Sequence, residues 1–269
     1  MSMSSLKYAG ALLVALLPLV PAHAHRSFLV PSSTVLDASD KQWVTIDAAR
    51  GNDLFHFNHN AMPLDGLRIA APDGNVVKPA KLERFRYRQV FDIELTQPGT
   101  WTAAVVDEGL RARWKEGDEE KRWKGSAADF AKAVPAGARD LAVAEVMSRV
   151  ETFVTVGKPT PPRLSGRGLE VKYLTHPNDL VAGEAATLVF LRNGAPAPDL
   201  NVSVIRGNTR YRDGQEAMRL TTDSQGRVPV TWPAAGLYWL HASLEEKPST
   251  PIARRRDVSY TATVEVLPK

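Results

Sequence analysis

Through most of the chain, apolar and polar residues alternate in short runs with a period of two. Gln42-Trp-Val-Thr-Ile-Asp47, Val90-Phe-Asp-Ile-Glu-Leu95 and Trp101-Thr-Ala-Ala-Val-Val106 follow this pattern. A period of two sends successive side chains to opposite faces, so each run predicts a strand with one buried and one solvated side. Turn signals such as Pro72-Asp-Gly74 and Gln97-Pro-Gly99 separate the runs, and the spacing is that of an antiparallel β-sandwich.

One segment departs from this pattern. Residues 115–125 are dense in charge, and Ser126-Ala-Ala-Asp129 resembles a helix start with an acidic residue at the third helical position. A short helix over about 127–134, ended by Pro135, is expected as an insertion spanning residues 115–135. Trp114 and Trp123 flank its charged part, which raises the reading of a lid or docking surface there.

After the run Glu151-Thr-Phe-Val-Thr-Val156 comes Gly157-Lys-Pro-Thr-Pro-Pro162, whose prolines read as a stiff, extended connection. Further strands are expected over 169–174, 186–192, 202–206, 228–232, 236–243 and 260–266. Asn193-Gly194 and Asp223-Ser-Gln-Gly226 supply turns among them. The reading is a mainly β protein with two immunoglobulin-like antiparallel sandwich domains. They cover residues 25–156 and 164–269 and are joined by a linker over 157–163.

Residues 1–24 do not read as fold. Lys7 precedes an apolar run of about a dozen residues, and Ala22-His-Ala24 has the small-x-small form of a cleavage site. Export to the periplasm with removal of residues 1–24 is expected; a bilayer-spanning helix needs about 20 apolar residues. Without cysteine, an exported fold has no disulfide staples and relies on its apolar core. The formal net charge of +4 comes from mixed charges rather than one basic stripe, so no nucleic-acid partner is expected.

Chemistry-bearing residues are few. There is no P-loop, G-x-S-x-G elbow, H-E-x-x-H or dinucleotide fingerprint, and a non-catalytic role is expected. Cleavage after Ala24 would make His25 the first residue, with a free α-amine and ring Nδ1 able to close a six-membered chelate. Such nitrogen donors favour divalent transition metals, Ni or Cu foremost. His56 and His59 lie in Asp53-Leu-Phe-His-Phe-Asn-His-Asn60. A regular strand would put them on opposite faces, so both reach one ion only if the chain turns at Asn58; of the two, His59 is the better candidate. Met62 and His241 read as packing residues, and His176 precedes a turn. Arg84-Phe-Arg-Tyr-Arg88 reads as a strand with one charged face. It and Arg254-Arg-Arg256 raise an anion-binding alternative.

Ala24-His-Arg-Ser-Phe-Leu-Val-Pro31 resembles the A-H-x-x-x-L-x-P opening of a family of bacterial periplasmic proteins associated with nickel uptake. Asn52-Asp-Leu-Phe55, Phe57-Asn-His59, Gly125-Ser-Ala-Ala-Asp-Phe130, Val150-Glu-Thr-Phe-Val154, Thr175-His-Pro-Asn-Asp-Leu180 and Trp232-Pro-Ala-Ala-Gly-Leu-Tyr-Trp239 extend the likeness over most of the chain. The resemblance implies export, sandwich domains, and a link to transition-metal or siderophore import. It also implies a metal-ligand role for His25, and less firmly for His59 and His176. The functional expectation is therefore a periplasmic metal-binding protein supporting uptake. The alternative is an interaction module that docks a membrane transporter or receptor without holding metal. An oxidative copper enzyme built on a terminal histidine is the third class, disfavoured because no acid–base set accompanies it.

Overall fold

A computed structural model describes residues 25–38 and 41–269. The export signal read at residues 1–24 lies outside the described residues. In the first half the strands are β1 (Arg26–Pro31), β2 (Val35–Leu36), β3 (Gln42–Gly51), β4 (Asn60–Ala61), β5 (Leu67–Ala70), β6 (Val76–Val77), β7 (Lys81–Arg84), β8 (Arg88–Leu95), β9 (Gly99–Glu116), β10 (Glu119–Gly125) and β11 (Arg139–Val156). The second half supplies β12 (Leu169–Tyr173), β13 (Ala185–Arg192), β14 (Ala195–Pro196), β15 (Asn201–Arg206), β16 (Met218–Thr221), β17 (Arg227–Thr231), β18 (Gly236–Glu246) and β19 (Arg255–Val266). The chain is mainly β, and the alternating runs fall inside strands. Along β8, for example, Phe91, Ile93 and Leu95 are buried while the residues between them are half-exposed.

Among the described residues these strands form three sheets. A first sheet runs β1-β3-β8-β7, with β4 also on β3. A ten-stranded sheet runs β16-β15-β18-β19-β11-β9-β5-β6 with β10 and β2 attached, and a third holds β12-β13-β14 and β17. Sequence order alone would keep the halves of the chain apart. Instead β19, the last strand, pairs in parallel with β11, from Ala144 opposite Arg255 to Thr152 opposite Thr263. Both strands carry long buried runs, as strands covered on two faces do.

The two outer sheets cover opposite faces of this shared sheet. Val150, Val154 and Val156 of β11 join Leu29, Ile46, Phe91 and Trp101 in one core. Met147 and Phe153, from the other face of β11, join Phe190, Trp232, Tyr238 and Tyr260 in another. At the seam a buried polar chain ties the halves together. Tyr260 Oη donates to Glu151 Oε1 at 2.6 Å, and Tyr173 Oη lies 3.0 Å from Tyr260 Oη. Arg149 pairs with the same carboxylate. Burial works against the Arg149 charge, but Glu151 and its neighbours outweigh it and raise the guanidinium above its ordinary pKa.

The proline-rich connection has no regular structure, yet it is held. Thr160 and Thr100 exchange backbone-to-hydroxyl hydrogen bonds at 2.9 and 3.0 Å. The insertion also departs from expectation. Its charged part forms the hairpin of β9 and β10, and Trp114 is buried with Leu110, Ala112, Val134 and Val143 rather than exposed. The helix α1 (Ala127–Ala133) forms where predicted. Its Ser126 hydroxyl bonds the Asp129 carboxylate at 2.6 Å rather than a backbone amide.

Two outcomes follow from the shared sheet. Calorimetry of residues 25–269 will show one unfolding transition; two separated transitions would contradict the ladder as a cooperative link. Tyr260→Phe, which removes a donor from buried Glu151, will cost about 1–3 kcal/mol in urea unfolding.

Candidate metal centre

The register of the first sheet brings two histidines together. At Arg50, β3 pairs with Ser27 of β1 on one side and with Asn60 of β4 on the other. His25 directly precedes β1 and His59 directly precedes β4, so both leave the sheet at the same end. Their imidazoles stack with centroids 3.3 Å apart and planes 5° from parallel. His25 is exposed and His59 half-buried.

The segment between β3 and β4 is a loop, not a strand. Asn58 closes it, as the two-histidine reading required: its Oδ1 accepts from the Asn52 amide at 2.9 Å and its Nδ2 donates to Asp53 at 3.0 Å. Phe55 adopts a left-handed φ of 61°, which is costly for a bulky residue and held here by packing. It sits edge-on to Phe28 at 5.4 Å. A Cβ on Gly207 would come within 2.9 Å of the Phe55 ring. The loop carrying His59 is thus clamped between the first sheet and the end of β15.

Burial, then His25, then Arg50 lower the His59 pKa below the ordinary imidazole value. A neutral imidazole keeps the lone pair that a metal needs. The parallel stack is not itself a coordination geometry, because a metal lies in the plane of an imidazole ring. Ligation by both rings requires them to tilt apart.

The other candidates lie elsewhere. His56 meets Tyr211 edge-on at 6.1 Å. His176 is locked between loops: its Nδ1 accepts from the Asn178 amide at 3.1 Å, and its Nε2 faces Thr100 Oγ1 at 2.9 Å and Thr160 O at 3.0 Å. Both nitrogens are spent, and burial lowers its pKa, so this ring holds the connection against β9. Met62 is buried in the first core. Among the described residues no three His, Cys, Asp or Glu side chains gather as a metal site. A metal here would have only the two stacked rings and an α-amine that trimming would free.

A cleft of about 760 Å³ opens beside the stack. One row of register partners shows why. Val105, Val150, Thr261, His241 and Ser203 lie side by side across β9, β11, β19, β18 and β15. The first sheet covers Val105 and Val150, and the row then runs out from beneath it. The cleft is lined by His25, Arg26, Arg50, Arg111 and Arg219 above a floor that includes Trp239. The Arg26 guanidinium lies 5.5 Å from the centre of the Trp239 ring, and Trp239 Nε1 donates to Ser27 O at 3.1 Å. Sequence reasoning missed Arg26, Arg50 and Trp239 as site residues. They are single residues on separate strands, and no motif links them. The Arg-rich runs it did single out go elsewhere. Arg84 ends β7 and Arg88 opens β8, and residues 85–87 form the hairpin turn between them, closed by the Phe85 amide on Arg88 O at 2.8 Å. Arg255 and Arg256 pair with Asp257 and with Glu145 and Glu246.

Residues 22–246 match the sequence signature of a family described only as a domain of unknown function, DUF4198. The chain belongs to that family. No curated protein matches it. Among solved structures, the trypsin-activated α2-macroglobulin of Escherichia coli aligns at 14% identity and a TM-score of 0.23, covering 93% of this chain and 16% of that one. A DUF4785 family protein of Legionella pneumophila aligns at 11% identity and a TM-score of 0.24, covering 80% and 50%. The Escherichia coli adhesin FdeC aligns at 14% and 0.23, covering 90% and 63%. This chain thus spans only part of each of them, and likeness at this level carries no functional information for the DUF4198 chain.

His241, in the cleft floor, stacks on Trp239 at 4.8 Å and its Nδ1 lies 3.0 Å from Thr261 Oγ1. Burial, aided by nearby Arg26, pushes its pKa down to about 4. The native state therefore refuses a proton that the unfolded chain accepts from about pH 6.5 downward, and stability is lost as pH falls from there toward 4. Relative to pH 7, His241→Gln will gain about 2 kcal/mol on the parent at pH 4.5 in urea unfolding. An unchanged difference between the two pH values would contradict this.

Proposed function

We propose that the chain, trimmed after Ala24 in the periplasm, binds one divalent transition-metal ion, Ni(II) or Cu(II), and supports metal uptake without catalysis. The observation that carries this reading is the meeting of His25 and His59, two rings from distant parts of the chain held at one end of the first sheet. The α-amine and Nδ1 of His25 form the chelate, and His59, kept neutral by its surroundings, supplies a third nitrogen once the rings tilt. Three nitrogen donors suit Ni(II) and Cu(II) over Mg(II) or Ca(II). The connection to uptake rests on the likeness of the mature start to periplasmic proteins of that association.

A second reading, an interaction module for a membrane transporter or receptor component, draws on the β7–β8 hairpin. There Phe85 is 56% and Tyr87 44% exposed beside Arg84 and Arg86.

The test is calorimetric titration of Ni(II) and Cu(II) into protein that begins at His25. One ion binds. A single extra residue ahead of His25, which converts the amine to an amide, weakens binding about tenfold or more, and so does His59→Ala. Equal affinity in all three proteins would overturn the chelate.

A further inference from the structure

We infer that the cleft beside His25 is a binding site for a small organic anion carrying two or more carboxylates, a ligand separate from any metal ion. The charge arrangement leads to this. Among the described residues, four guanidiniums line the cleft and Asp257 is its one carboxylate. That acid is already occupied by Arg255 at 3.1 Å. Asp107, near the cleft, is held by Arg111 and by Lys124, the latter at 2.8 Å. Arg26, Arg50 and Arg219 have no ion pair among the described residues.

The guanidiniums are also aimed. Arg26 donates to Gln215 Oε1 at 2.7 Å and lies over Trp239. Arg50 Nε reaches Ser27 Oγ at 3.4 Å. Each guanidinium has five N–H donors, so these contacts orient it and leave donors free. Burial and the nearby Arg111 charge lower the Arg50 pKa, and Asp107 opposes them only in part. Such an arrangement is unfavourable unless an anion completes it.

Geometry selects carboxylates over a lone phosphate. The floor strands β11, β19, β18 and β15 are each paired on both sides, so their amides are spent in ladders and cannot cradle a tetrahedral oxyanion. Recognition falls to side chains: guanidiniums on separate strands, hydroxyls of Ser148, Ser203 and Ser259, and the apolar surface of Trp239 and Ile205. Spread donors around a cavity of about 760 Å³ suit charges distributed over a carbon frame. Arginine forks match carboxylates in pairs of parallel hydrogen bonds.

The experiment titrates citrate into metal-stripped protein beginning at His25, followed by calorimetry and tryptophan fluorescence. Citrate binds one-to-one. Arg219→Gln, at an exposed position, and Arg50→Gln each weaken it about tenfold with unchanged circular dichroism. His59→Ala leaves citrate affinity within about twofold, which separates this site from the metal reading. Absence of citrate binding, or parent-like affinity in both arginine variants, overturns the inference. Saturation by inorganic phosphate where citrate fails overturns the carboxylate assignment.

Discussion

The parallel pairing of β19 with β11 is the constraint on which the rest of the structure depends. Both strands carry long buried runs, and apolar side chains on both faces of a strand need cover on each. Here the first sheet covers one face of the shared sheet and the third covers the other. β11 carries both cores at once, with Val150, Val154 and Val156 toward one and Met147 and Phe153 toward the other. A ladder between residues so far apart in sequence carries a large closure entropy. It is offset by burial on both faces and by the Glu151–Tyr260–Tyr173 chain at the seam.

The offset stacking also creates the cleft. Two sheets on opposite faces of a third leave part of each face bare, and the bare part beside β1 becomes the cleft floor. The edge of the first sheet becomes its wall. This step juxtaposes Arg26 with Trp239 and carries Phe28 and Ala49 into contact with Ile205. The same edge ends in the His25–His59 stack. The two proposed metal ligands and the unpaired guanidiniums thus lie side by side. Strong nitrogen donors tolerate that neighbourhood better than weak oxygen donors, since their bond to a transition metal has covalent character that offsets the unfavourable field.

Particular residues show how far the sequence reading reached. The alternation in β3 and β8 was legible because each of those strands buries one face and leaves the other more exposed. The helix over Ala127–Ala133 was legible from Ser126 and Pro135. For the segment 53–59 the sequence left a regular strand and a turn at Asn58 both open, since Phe55 and Phe57 alternate there. Its path is set by Asn58 bonding back to Asn52 and Asp53 and by Phe55 docking near Gly207, contacts that no local period encodes. Trp114 looked exposed amid charges because its cover, Val134 and Val143, comes from beyond the hairpin. The family resemblance implied a ligand role for His176, and only its partners Thr100, Thr160 and Asn178 show the clasp it forms.

By itself the sequence determined what is local: where strands form, where turns close them, that the core is apolar rather than cross-linked, and that His25 and His59 deserve scrutiny. Tertiary structure alone decided which strands pair across the halves. With that pairing came which histidines meet, and that arginines from β1, β3, β9 and β16 surround one cavity. The physical reason is that period and propensity act between neighbours along the chain. Register between distant strands is selected by the burial of whole faces, and a site assembled across that register exists only after the faces have closed.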